Sequence, residues 1–240
     1  MGNRVYIFDT ATLQATKDRM LFFAGFGEPL QVTIQSCLID TGREKILVDT
    51  GIAAPDAPYL QGFGFQQSQE QRLTARLASL GCQPSDIAIV VNTHLHIDHS
   101  GNNRQFEQAK MYVNIEELKF AYVPGYQTRV YNRQDFDHRL HYIPVRGDLE
   151  IAKGVHLLQT PGHTPGHQSV LVETSEGNVL LTGDACRLRE HWEGVGDTIM
   201  FDSEQYYRSQ ERMHSLRADV VIMGHDGEAF GSYKHQYGAP

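Results

Sequence analysis

Cysteine is scarce in this chain: Cys37, Cys82 and Cys186 are an odd number at wide spacing. That excludes the disulfide framework of a small secreted domain and reads as reduced thiols. Long apolar runs are missing too, with nothing near the roughly 18 residues that a membrane-spanning helix needs. Basic residues are in deficit, 21 against 29 acidic, giving a formal net charge of −8. With no cluster of Lys and Arg to offset it, such a surface repels phosphate backbones and argues against nucleic acid as a partner. The first ten residues alternate polar and apolar side chains and lack the basic start, apolar stretch and small-residue cleavage site of a secretory signal. The expected address is the cytoplasm, the expected partner a small molecule; a monomer and a homodimer are both compatible with the sequence.

Hydrophobic residues make up 40% and charged residues 21%, an ordinary globular balance that leaves no room for disorder or a fibrous repeat. A length of 240 residues fits one layered domain spanning 1–240, although two similar halves would also fit. The phrases Leu47-Val48-Asp49-Thr50-Gly51 and Leu180-Leu181-Thr182-Gly183-Asp184 hint at such halves, on a match too short to establish a repeat.

The main signal is a short apolar, β-branched run that stops at a histidine or aspartate. Ile46-Leu47-Val48 runs into Asp49-Thr50-Gly51, residues 87–91 run into Asn92-Thr93-His94, and residues 155–158 lead through Thr160-Pro161-Gly162 to His163. Val179-Leu180-Leu181 ends in Thr182-Gly183-Asp184, and residues 220–223 end in Gly224-His225. Continuous apolar runs bounded by turn residues read as strands buried on both faces, so other layers must cover the sheets. Helices are expected over residues 67–80, with Leu73, Leu77 and Leu80 on one stripe and Gly81 as the stop, then over 115–122 and 203–216. These helices fall between groups of strands rather than alternating with them, which favours a sheet-on-sheet core flanked by helices over a doubly wound sheet. Residues 122–144 have little periodicity and read as a long loop; residues 55–65, aromatic among glycines, read as a substrate-facing flap or an anchored surface loop.

His94-Leu95-His96-Ile97-Asp98-His99 gathers three imidazoles and a carboxylate within six positions, a density that packing does not explain. Residues i and i+2 leave an extended strand end in one direction, so His94 and His96 can grip one ion, with Asp98 and His99 following in the turn. His163, Asp184 and His225 each end their own apolar run, where separate strands can converge their tips. Seven candidate ligands exceed what one tetrahedral ion takes. A set without cysteine suits two divalent transition metals, zinc foremost with iron, cobalt or manganese as alternatives. Paired metals about 3.5–4 Å apart support hydrolysis.

His94-x-His96-x-Asp98-His99, with His163, Asp184 and His225 at later strand ends and Asp49-Thr50-Gly51 upstream, resembles the signature of the metallo-β-lactamase superfamily. The resemblance implies an α+β fold: an αββα sandwich of two mixed β-sheets flanked by helices, with the metals at one edge. It implies that His94, His96 and His163 hold the first ion, that Asp98, His99 and His225 hold the second, and that Asp184 bridges them. Residues 160–169 and Gly224-His225-Asp226 look most like the N-acyl homoserine lactonases and the similar pyridoxolactonases. By that likeness the reaction is the opening of a lactone ester, an N-acyl homoserine lactone foremost, by a metal-bridging hydroxide, with Asp98 relaying the proton. His167 lies outside the ligand set and reads as a supporting histidine; Asp49 likewise orients the ligand loop. Those lactonases usually carry tyrosine three residues after the bridging aspartate, where this chain has Arg187. Arg187 is either a substrate-binding group, holding a carboxylate or polarising an oxygen, or a surface residue of a loop. Cys186 reads as a small buried residue.

The alternatives on the same centre are a glyoxalase II-like thioesterase, a small phosphodiesterase, a persulfide dioxygenase and a β-lactamase. The first resemblance implies a helical C-terminal extension, whereas fifteen residues follow His225. A β-lactamase implies export.

Overall fold

The polar and apolar alternation at the start of the chain becomes a long hairpin. In the computed structural model, which describes residues 2–123 and 130–239, β1 (Arg4–Thr16) pairs antiparallel with β2 (Pro29–Asp40). β3 (Lys45–Val48) follows antiparallel on β2, and β4 (Phe65–Gln66) is a short addition to β1. After α1 (Leu73–Ser79) the chain enters β5 (Ile87–Val91), parallel to β3, and then α2 (Ile97–Ser100). β6 (Lys110–Asn114), α3 (Ile115–Ala121), α4 (Arg133–Phe136) and β7 (His141–Val145) extend the same sheet with parallel pairings.

A second sheet is built from β8 (Leu149–Ala152), β9 (Val155–Gln159), β10 (Gln168–Thr174) and β11 (Gly177–Leu181) as an antiparallel meander. Then come α5 (Arg189–Trp192) and α6 (Ser203–Ser215), and β12 (Val220–Ile222) joins β11 in parallel. Finally α7 (Gly227–Phe230) precedes β13 (Gln236–Tyr237), which returns to β1. The orders are β13-β1-β2-β3-β5-β6-β7, with β4 beside β1, and β12-β11-β10-β9-β8. Both sheets are mixed, as expected.

The continuous apolar runs are explained by burial on both faces. Ile46, Val48, Ile89 and Val91 of the first sheet meet Val155, Leu157, Val170, Val172, Val179 and Leu181 of the second in one core. The residues between them turn outward: Leu47 and Val90 pack on Leu73 and Leu77 of α1, and Leu180 packs on Met213 of α6. Period-two alternation therefore survives as two apolar faces rather than one.

Three sequence expectations need correcting. The helix expected over 67–80 is confined to Leu73–Ser79, because Ser68 and Gln71 bond each other's backbone in a turn that competes with helix. Leu80 caps that helix and is 37% exposed, so it leaves the buried stripe, although Gly81 stops the helix with φ 66°. The loop expected over 122–144 contains α4 and the start of β7; its residues 124–129 lie outside the described residues. The helices expected over 115–122 and 203–216 agree within one residue. Among the described residues no helix is long and apolar enough to cross a membrane.

Because β3 and β5 are parallel, and β9, β11 and β12 share one direction, the carboxyl ends of these five strands open toward one edge of the sandwich. Every histidine and aspartate that stops an apolar run lies there.

Candidate metal centre

The seven candidate ligands come together. The ligand atoms of His94, His96 and His163 lie within 4.8 Å of one another, as do those of His94, His99 and Asp184 and those of Asp98, His99 and His225. Asp184 stands between the groups: Oδ2 is 3.2 Å from His163 Nε2, while Oδ1 is 3.2 Å from His99 Nε2 and 3.1 Å from His225 Nε2. Asp98 Oδ2 lies 3.6 Å from His225 Nε2 and 3.8 Å from His99 Nε2. Its side chain is 20% exposed against 5% for Asp184, which makes Asp98 the carboxylate that faces the open side.

The strand tips were expected to aim His94 and His96; the local backbone differs. β5 ends at Val91, His94 and His96 sit in the irregular stretch after it, and Asp98 and His99 lie on the one-turn helix α2 rather than in a turn. That helix is anchored from behind. Gly101 closes it against residues 51–53, where a Cβ would come 2.2 Å from Ala53 N, so only glycine fits. The His99 carbonyl accepts from Thr50 N at 2.7 Å and from Asn92 Nδ2 at 3.3 Å.

Hydrogen bonds on the far ring nitrogens set the tautomers. Nδ1 of His99 lies 2.8 Å from Asp49 Oδ2, that of His163 3.0 Å from the Ile199 carbonyl, and that of His225 3.0 Å from the Thr33 carbonyl. Each partner only accepts, so Nδ1 carries the proton and the Nε2 lone pair is turned toward the cluster. Asp49 also accepts from Thr93 N and Thr93 Oγ1 at 2.8 and 2.7 Å. It does so from a left-handed backbone at φ 57°, a strained conformation held behind the ligands. His167 supports as expected: its Nε2 accepts from the Asp184 amide at 2.9 Å, and burial drives its pKa down to about 3, so it stays neutral.

The donor set fits divalent cations. Burial, reinforced by His99 and His96, pushes the His94 imidazole well below the usual histidine range. Burial works to raise Asp184, but the imidazoles of His225, His99 and His163 override it and hold its carboxyl well below the usual carboxylate range. Among the described residues His94 Nε2 is buried with no hydrogen-bond partner, a costly arrangement unless a cation takes the lone pair. Imidazole nitrogens and carboxylate oxygens without thiolate are the ligands of a catalytic rather than a structural site. Cys37, Cys82 and Cys186 are buried and unpaired, and burial raises the Cys186 thiol far above its ordinary value.

Arg187 is buried at 4% exposure, which rules out the surface-loop reading. Its guanidinium pairs with Asp197, Nε donating to Oδ2 at 2.7 Å and Nη2 to Oδ1. It lines a cavity of about 920 Å³ together with His96, Asp98, His163, Asp184 and His225. Asp197 was not legible beforehand, since an acidic residue after Gly196 reads as turn chemistry. Glu117 was missed as well: it follows Asn114, an N-cap whose side chain accepts from Glu116 N, so it looks like an ordinary acid of a helix's first turn. Of the two readings of residues 55–65, the substrate-facing one is favoured by Phe63 and Phe65, which stand on the cavity wall.

A sandwich with this edge site defines a class, and the comparison with known families agrees: the family model described as "Metallo-beta-lactamase superfamily" matches residues 31–225. The chain belongs to the metallo-β-lactamase superfamily. Within it, the chain is 34% identical to an N-acyl homoserine lactonase of Bacillus sp over 215 residues, 84% of each chain. It is 31% identical to the N-acyl homoserine lactonase AiiA of Bacillus thuringiensis subsp. kurstaki over the same shares. Among solved structures it resembles an N-acyl homoserine lactone hydrolase with N-hexanoyl-L-homoserine bound at the catalytic metal centre. That match has a TM-score of 0.86 and 27% identity, and covers 98% of this chain and 97% of the other.

Proposed function

We propose that this protein is a metal-dependent hydrolase that opens the lactone ring of N-acyl homoserine lactones, a quorum-quenching activity. The observation that carries the reading is a dinuclear-type ligand cluster at the end of a large apolar cavity. Leu13, Val32, Ile34, Phe63, Phe65 and Phe201 line the same cavity as the candidate ligands. A fatty acyl tail fits those walls, and burying it contributes about 0.8 kcal/mol per methylene. The named activity of the relatives, at 34% and 31% identity, supports the same substrate.

In this reading His94, His96 and His163 would hold one divalent ion and Asp98, His99 and His225 the other, with Asp184 shared between them. Zinc is the first choice, with iron, cobalt or manganese as alternatives. Such a pair supplies Lewis acidity for an ester carbonyl and acidifies water near neutrality. The chain does the rest. Asp49, Thr33 and the Ile199 carbonyl keep the imidazoles in one tautomer, and the apolar wall aligns the tail and excludes water. Asp98, the carboxylate on the open side, takes the proton given up by the attacking water and passes it to the departing ring oxygen, which stays tethered in the product. Arg187 faces the ring from the cavity wall and polarises a substrate oxygen. One core drawing on residues from Val5 to Tyr237 supports a single domain over 1–240, acting as a monomer or homodimer. Three unpaired buried cysteines fit a cytoplasmic setting. The acidic net charge fits a small-molecule substrate, with neither nucleic acid nor membrane as partner.

Incubating zinc-loaded protein with N-hexanoyl homoserine lactone in ¹⁸O-labelled water tests the reaction by mass spectrometry. Ring-opened acid carrying the label in its carboxylate is expected; intact lactone, or cleavage of the side-chain amide instead, would refute it.

A further inference from the structure

Glu117 sits on α3, behind the candidate ligands rather than among them, and is fully buried. Both of its carboxylate oxygens are engaged. The Leu95 amide donates to Oε1 at 3.0 Å and the Tyr131 hydroxyl to the same atom at 2.7 Å. The Thr164 hydroxyl donates to Oε2 at 2.6 Å, and the Gly166 amide also bonds the carboxylate. Gly166 must be glycine for this approach, since a Cβ there would stand 2.1 Å from Glu117 N.

The donors are placed where they matter. Leu95 separates His94 from His96, and Thr164 follows His163. Tyr131 meets the His96 ring edge to face, with centroids 4.6 Å apart. One carboxylate thus fastens the two separate backbone segments that carry His94, His96 and His163, and also the aromatic ring that packs against His96. Burying a carboxylate away from any cation costs several kcal/mol unless donors surround it, and an apolar side chain would fill the space at less expense. His99 and His225 are braced elsewhere: Asp49 holds His99 and the Thr33 carbonyl holds His225.

The geometry points to Glu117 as the positioning residue of the first metal site, setting the separation of its three imidazoles without touching the ion. This rests on the ligand assignment proposed above. Losing such an outer partner weakens metal binding by roughly 10–100-fold. Glu117→Ala is therefore expected to weaken zinc at the His94, His96 and His163 site on that scale while leaving the other site within about threefold. Glu117→Gln keeps an acceptor for Leu95 and Tyr131 but turns an amide toward Thr164, so its loss is smaller. Thr164→Val removes one strut and falls lower still.

The test is chelator competition on the zinc-loaded full chain, followed as two release steps. The step missing in His96→Ala marks the first site and the step missing in His225→Ala marks the second. Circular dichroism checks folding. Selective weakening of the first step in the order Ala, Gln, Val supports the inference. Equal weakening of both steps shows a merely structural role and overturns it, as do two unchanged steps. Should Glu117→Ala fail to fold, the other two variants carry the same comparison. A parent protein with fewer than two release steps overturns the ligand assignment itself, and this inference with it.

Discussion

Arg187 lies against Asp197 as a buried bidentate pair, with Nε donating to Oδ2 at 2.7 Å. Asp197 Oδ1 also accepts from Ile199 N at 2.7 Å, and the Ile199 carbonyl accepts from His163 Nδ1 at 3.0 Å. The pair therefore connects the cavity wall to a candidate ligand.

Arg187→Ala leaves Asp197 buried without its counter-charge, and unfolding free energy is expected to fall by about 3–5 kcal/mol. Because the same residue faces the cavity, kcat/KM is expected to fall roughly tenfold or more. Arg187→Lys keeps the charge and loses the fork, so it rescues stability only in part. Urea unfolding and lactone kinetics on the three proteins decide this; unchanged values for Arg187→Ala would remove Arg187 from both roles.

Metal content provides a second check. Elemental analysis of reconstituted protein is expected to give close to two ions per chain. His163→Ala loses one of them, whereas His167→Ala, which removes a bond to the Asp184 amide, keeps nearly all. Equal loss in both variants would mean that the ligands are wrongly assigned.

The centre was legible because its chemistry is dense: imidazoles at His94, His96 and His99 have no common explanation in packing. The strands before His163, Asp184 and His225 were legible because each is a short apolar run closed by turn residues. What escaped were groups whose meaning depends on who stands opposite. Glu117 and Asp197 are ordinary acids in sequence, and only the fold sets Leu95, Thr164 and Arg187 against them. Arg187 was flagged by its position, yet a sequence cannot show which partner neutralises a cation. Helix length failed at 67–80 for a local reason, since the bonds between Ser68 and Gln71 compete with the first turn.

On the proposed mechanism, Asp98→Asn would keep an oxygen for the ion and remove the proton relay. With metal content verified, kcat is expected to fall by about 10²–10⁴-fold with KM changed far less. A variant that loses KM and keeps kcat would place Asp98 in binding rather than proton transfer.

Away from the centre, Tyr59 Oη donates to Asp135 Oδ1 at 2.6 Å, joining the 55–65 segment to α4. Burial pushes the Asp135 carboxyl up from 3.8 to about 7 despite that bond. Since the folded state holds the proton more tightly, this stabilisation is full below pH about 4 and is lost as pH rises through about 7. Between pH 5 and 8 the parent is expected to lose about 2–3 kcal/mol more stability than Asp135→Asn. Urea unfolding of both zinc-loaded proteins at the two pH values measures this; parallel losses would contradict it.

The central claim is lactone hydrolysis at a two-metal site, and acid release by metal-replete protein tests it most directly. The panel holds short-chain, long-chain and aromatic lactones, a thioester, a cephalosporin and bis-p-nitrophenyl phosphate, all read by pH indicator. The account predicts the highest kcat/KM for an N-acyl homoserine lactone and its loss on chelation. Turnover of the thioester or the phosphodiester with no acid from any lactone would contradict it.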